Sequence, residues 1–89
     1  CGVSYGVGVA SGTAAIAMGL QTLGISTGDE VLVPANTFVA TLMGVIQAGA
    51  KPVLVDCHLD TALIDLELAV KAITPRTKAI IPVHLYGQM

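Results

Sequence analysis

Three short aliphatic runs restrict this chain more than anything else in it: Glu30–Val33 (EVLV), Pro52–Val55 (PVLV) and Lys78–Val83 (KAIIPV). They are continuous rather than alternating. A strand with one wet face alternates apolar and polar residues, whereas a strand covered on both faces does not, as in parallel sheets. The stretches between the runs carry helical spacing. Ile16, Leu20 and Leu23 form one stripe, Phe38, Val39, Leu42, Met43 and Ile46 a second, and Leu66, Ala69, Val70 and Ile73 a third. They predict helices at about Gly12–Leu23, Thr37–Gln47 and Leu66–Ile73. A further run, Tyr5–Ala10 (YGVGVA), reads as a strand ahead of the first helix, weakened by Gly6 and Gly8 but open to close backbone approach.

The punctuation agrees with this division. Ser11, Asn36 and Asp65 stand where N-caps belong, and Gly24 and Gly49 where helices end. Thr74-Pro75 stops the third helix, because the residue before proline avoids the helical region. The resulting order, β-α-β-α-β-α-β, predicts an α/β three-layer sandwich with a mostly parallel sheet and right-handed crossovers. Ligands of such sheets bind at the C-terminal ends of the strands. That edge would present Ser11–Thr13, Ala35–Phe38, Asp56–His58 and His84–Gln88.

Ser11-Gly12-Thr13 is the part of that edge with chemistry of its own. With Ser11 as N-cap, Gly12 and Thr13 would be the first helical residues, their N–H groups free and pointing off the end. Such an end carries about half a positive charge and can hold a phosphate. Taken alone, it reads first as an ordinary cap with nothing bound.

Composition narrows the class. The 89 residues make one small unit, residues 1–89, that is 54% apolar and only 11% charged, against roughly 25% charged in an average domain. So little polar surface cannot coat a free-standing domain of this size. The chain also begins without an initiator Met and stops just after Tyr86-Gly87-Gln88. We therefore expect part of a larger sheet protein, or a subunit with a large interface. Net charge is −2, and the basic residues Lys51, Lys71, Arg76 and Lys78 form no patch, which argues against nucleic acid. No apolar run reaches the roughly 18 residues of a membrane span. Cys1 and Cys57 lack metal-ligand spacing and read as free thiols of a cytoplasmic protein.

Gly6-Val7-Gly8-Val9-Ala10-Ser11 approximates a dinucleotide fingerprint but fails it. Its glycines lie in the strand, its third position is Ser11, and the acidic pair Asp29-Glu30 begins the next strand instead of ending it. No Gly-Lys-Ser/Thr occurs, so there is no Walker A loop.

Several phrases together resemble one family: ASGTAAI (Ala10–Ile16), LGISTGDEVLVPANTFVAT (Leu23–Thr41), AGAKPVLVD (Ala48–Asp56) and ITPRTKAIIPVHLYGQ (Ile73–Gln88). They are similar to the DegT/DnrJ/StrS sugar aminotransferases, which use pyridoxal 5′-phosphate. The resemblance covers essentially the whole chain. It implies the first part of the large domain of the type I aminotransferase fold. It also implies that the backbone of Gly12 and Thr13, with the Thr13 hydroxyl, cradles the cofactor phosphate. Ser11 contributes more weakly. Phe38 matches the aromatic that stacks on the pyridine ring, or is simply a core residue of the second helix. His84, Tyr86 and Gln88 line the pocket, touch a second subunit, or serve structure alone. Asp56 reads as a turn residue, and Cys57 as a buried or neutral thiol.

The same resemblance implies a nucleotide-linked keto sugar as acceptor, glutamate as amino donor and a homodimer in the intact protein. It also requires a lysine for the Schiff base and an Asp for the pyridine nitrogen, both beyond Met89 in the family. Lys51, Lys71 and Lys78 do not substitute, so no catalytic residue is expected in these 89. A member with His in place of the lysine would be a dehydratase-like enzyme. A non-catalytic phosphate-binding or assembly module is the reading from a different class. Other branches of the fold, cysteine desulfurases or aldolases, fit PANTFVAT and PVHLYGQ less well. In the family sheet the first strand lies far from the others, so the isolated chain should leave Tyr5–Ala10 unpaired and associate.

Overall fold

The computed structural model describes all 89 residues, Cys1–Met89. Three helices and three strands alternate: α1 (Gly12–Thr22), β1 (Glu30–Pro34), α2 (Ala40–Gln47), β2 (Lys51–Val55), α3 (Leu66–Lys71) and β3 (Thr77–Ile80), followed by a 3₁₀ turn at Leu85–Gly87. The sheet is parallel throughout, in the order β2-β1-β3. The chain therefore steps from β1 outward to β2, then back across β1 to β3. Right-handed crossovers made in opposite directions put their helices on opposite faces. Accordingly Val45 of α2 packs with Val31 and Val33 on one face, while Ala69 of α3 packs with Leu32 and Val55 on the other. The expected three layers result.

β1 is buried along its whole length, which is why its sequence is apolar at every position. Val31, Leu32 and Val33 are at most 2% exposed, each contributing about 1.5–3 kcal/mol by burial. β2 is an edge strand and tolerates Pro52 for that reason. β3 holds one extra residue, Lys78, between the pairs Glu30↔Thr77 and Val31↔Ala79.

Both large helices end in the same device. Gly24 (φ 76°) lets its own N–H donate to the Gln21 carbonyl and the Ile25 N–H donate to Leu20. Gly49 (φ 88°) does the same, with bonds to Ile46 and from Ala50 to Val45. Two closing bonds of this kind satisfy carbonyls the helix leaves over, and an apolar contact seals each, here Ile25 with Leu20 and Ala50 with Val45.

Several expectations need correction. Tyr5–Ala10 forms no strand. Its residues are all exposed, Val9 less than Tyr5 or Val7, and it has no backbone partner, because strand hydrogen bonds need a neighbouring strand and the three present are committed to one another. The element order is thus α-β-α-β-α-β. The second helix starts at Ala40, not Thr37, and Asn36 does not cap it. Val39 occupies the cap position without a capping side chain. The last strand ends at Ile80. One more ladder bond follows, from the Ile81 N–H to Leu32, and then Pro82 has no N–H to offer.

Candidate functional site

α1 and α2 lie side by side and run the same way. Gly44 packs against Ile16 and the Thr13 carbonyl, and the Gln21 side-chain amide donates to the Gln47 carbonyl at 3.5 Å. Since α2 leaves the C-terminal end of β1, the N-terminus of α1 lies at that same edge. This packing brings the Ser11–Thr13 turn to the strand ends.

Ser11 is the N-cap, extended at φ −163°, ψ 166°, and its Oγ accepts from the Ala14 N–H at 3.1 Å. Its carbonyl accepts from Ala15. The N–H groups of Gly12 and Thr13 have no partner, nor does the Thr13 hydroxyl. No atom lies within 4 Å of where a Gly12 Cβ would stand. Two amide donors and a hydroxyl are therefore unpartnered at a helix N-terminus, with open space beside Gly12, which is a fit for a phosphate ester dianion.

Phe38 lies in the link between β1 and α2, at the same edge, with its ring 75% exposed. The core reading of Phe38 is excluded within this chain. Behind it, Thr41 is 5% exposed, its N–H donates to the Phe38 carbonyl at 3.1 Å, and its hydroxyl stands 3.1 Å from that of Thr37. Thr37 and Thr41 were not singled out from sequence. Their four-residue spacing across a helix start was the available signal.

His84, Tyr86 and Gln88 follow β3 at this edge, all exposed. The His84 carbonyl accepts from Gly87, and Tyr86 sits in the left-handed region at φ 59°. Asp56 follows β2 directly, its Oδ1 accepting from the Cys57 N–H at 2.8 Å and its carbonyl from the Asp65 N–H. Cys57 is half-buried and bridges to Ile64. His58 Nδ1 lies 3.9 Å from Asp65, whose Oδ1 caps α3 by accepting from Glu67 and Leu68. These amides, that of Leu68 above all, hold the Asp65 carboxyl below its usual range.

The lysines are elsewhere. Lys51 opens β2, Lys71 ends α3 and Lys78 is the second residue of β3. Lys51 Nζ and Arg76 Nη2 lie 3.7 and 3.5 Å from Glu30 Oε1, and the Thr74 hydroxyl donates to Oε2 at 2.7 Å. Glu30 is thus tied at the opposite edge of the sheet, at the strand starts.

A parallel α/β sheet with helices on both faces, with the free N-terminus of α1 and the exposed Phe38 both at its strand-end edge, defines the class of domain as a parallel α/β fold. The profile of the DegT/DnrJ/EryC1/StrS aminotransferase family matches residues 1–89, and the chain belongs to that family. It is 54% identical over 86 residues to a UDP-N-acetyl-3-dehydro-alpha-D-glucosamine 3-aminotransferase of Acidithiobacillus ferrooxidans, covering 97% of this chain and 23% of that enzyme. Among solved structures it is similar to Streptomyces venezuelae DesV in complex with a ketimine intermediate, with TM-score 0.91 and 51% identity over 93% of this chain and 22% of that one. The PLP-form of the sugar aminotransferase Spr1654 from Streptococcus pneumoniae aligns with TM-score 0.83 and 45% identity, over 86% of this chain and 20% of that one. The chain thus spans about a quarter of the length of the relatives it matches. The type I aminotransferase fold expected from sequence is the fold observed. No helix is long and apolar enough to cross a membrane.

Proposed function

We propose that this chain is the cofactor-phosphate half of the active site of a cytoplasmic, pyridoxal 5′-phosphate-dependent aminotransferase that places an amino group on a nucleotide-linked keto sugar. The observation that carries this is the pair of unpartnered N–H groups at Gly12 and Thr13, with the Thr13 hydroxyl, at the edge where Phe38 is exposed. Bound there, pyridoxal phosphate supplies an electron sink for amino-group transfer. Gly12 and Thr13 hold its phosphate through charge-assisted bonds, which are stronger than neutral ones. Ser11 fixes the turn by capping and can still donate its hydroxyl proton. Phe38 covers one face of the ring and excludes water from it. His84 and Tyr86 border the same space from the loop after β3.

The keto-sugar acceptor is supported by the 3-dehydro sugar in the name of the Acidithiobacillus relative. Glutamate as donor and a homodimeric holoenzyme follow from the family resemblance. No lysine reaches this edge, so the residue that would bond the cofactor covalently is supplied by other parts of the enzyme.

Gly12→Pro in the full-length protein is the cleanest test. Proline is favoured at the first helical position, and Ser11 already has the extended conformation proline demands before it. The substitution removes one donor and keeps the helix. Cofactor affinity, measured by absorbance titration, should fall roughly 10- to 100-fold, the scale of a hydrogen bond to a charged group. Unchanged affinity would place the phosphate elsewhere.

A further inference from the structure

We propose that Thr41 is the positioning residue for Phe38. Phe38 is three-quarters exposed, so little packing sets where its ring stands and its backbone matters the more. One residue holds that backbone twice. The Thr41 N–H donates to the Phe38 carbonyl, and the Thr41 hydroxyl pairs with that of Thr37, each at 3.1 Å. Phe38 is therefore gripped through its own carbonyl and through the side chain of the residue before it. No side chain caps the start of α2, since Val39 has helical φ and ψ and no capping bond; the next backbone bond, from the Met43 N–H to the Val39 carbonyl, lies one residue further on. Thr41 is itself anchored, being 5% exposed. A buried hydroxyl keeps a partner because leaving it unpaired is costly, so the Thr37 side chain stays in place while α2 is folded. Neither threonine needs to touch cofactor or substrate for this.

The inference rests on the stacking role proposed for Phe38, and its test separates the two. The full-length protein is compared with Thr41→Val, which keeps the shape and removes the hydroxyl, with Thr41→Ser, which restores it, and with Phe38→Ala. Two readouts are taken: amide hydrogen exchange at position 41 and Met43, whose N–H groups donate to the Phe38 and Val39 carbonyls of the link, in the cofactor-free protein, and circular dichroism of bound pyridoxal phosphate. Thr41→Val should speed exchange at these amides roughly 3- to 10-fold, the scale of one lost hydrogen bond, and leave β1 unchanged. It should shift the dichroism in the same direction as Phe38→Ala, and Thr41→Ser should return both readouts to normal. Unchanged exchange at these amides overturns the clasp. Faster exchange with normal dichroism, while Phe38→Ala alters it, overturns the positioning role alone. Normal dichroism in Phe38→Ala overturns the stacking reading, and this role of Thr41 with it.

Discussion

Gly44 of α2 lies directly against Ile16 of α1: a Cβ placed on Gly44 would stand 2.5 Å from Ile16 Cγ2 and 2.7 Å from Ile16 Cβ. Ile16 cannot rotate its own Cβ away, so the absence of a side chain at position 44 sets the spacing of the two helices. That spacing in turn places the Ser11–Thr13 turn. Gly44→Ala should gain about 1 kcal/mol of helix propensity and lose about 1–3 kcal/mol to overpacking. Its net effect is a loss, read as a lower denaturation midpoint, together with weaker cofactor binding. Gly19, within α1, has nothing within 4 Å of its missing Cβ. Gly19→Ala should therefore stabilise by up to about 1 kcal/mol. Equal effects at the two glycines would contradict the packing argument.

Glu30 makes stability depend on acid. The Thr74 hydroxyl, first of all, holds its carboxyl below the usual range; burial opposes this, and Arg76 and Lys51 reinforce it. The folded state thus releases the proton more readily than the unfolded one. The contribution is complete above the ordinary carboxylate range and is lost as pH falls through the lower, folded-state value. Asp65 acts in the same direction. Urea midpoints should fall on acidification below about pH 4–5. Glu30→Gln should lower the midpoint at neutral pH and flatten part of that slope, with the Asp65 part remaining.

Phe38 separates binding from stability. Its ring is mostly exposed, so Phe38→Ala should leave the denaturation midpoint of the cofactor-free protein nearly unchanged. Cofactor affinity should drop roughly 3- to 10-fold, as expected for losing an aromatic contact worth about 0.5–1.5 kcal/mol. A large fall in stability would return Phe38 to a core role.

The 89-residue chain by itself should associate. Only 16 of its 89 residues are buried, although 54% are apolar. Tyr5, Val7, Leu23, Phe38 and Leu54 are each more than half exposed. Light scattering on the expressed segment should report oligomers or aggregates. A monomer with a sharp, cooperative melt would show that this surface needs no cover.

Much of the fold could be read from residue order because local rules suffice for it. Continuous aliphatic runs mark the strands, though only the central β1 is covered on both faces, Ser11 and Asp65 cap the helices they precede, and Gly24 and Gly49 end helices through left-handed backbone that other residues resist. The capped Ser11–Thr13 turn was legible for the same reason, since a helix N-terminus leaves free N–H groups whatever surrounds it. Tyr5–Ala10 reads as a strand but stands unpaired, as the family resemblance implied for the isolated chain; a strand is a relation between two segments, and the run by itself says nothing about the second. The start of α2 was placed three residues early because Asn36 resembles a cap, whereas the Thr37–Thr41 hydroxyl pair holds the chain in a link. Sequence by itself determined which segments are helical and that β1 is a buried strand, whereas β2 and β3, read as buried from the same kind of run, are largely uncovered edge strands here. Only tertiary structure decided that α1 runs parallel to α2 over Gly44, that the turn and Phe38 share one edge, and that every lysine lies away from it, because those facts depend on contacts between residues far apart in the chain.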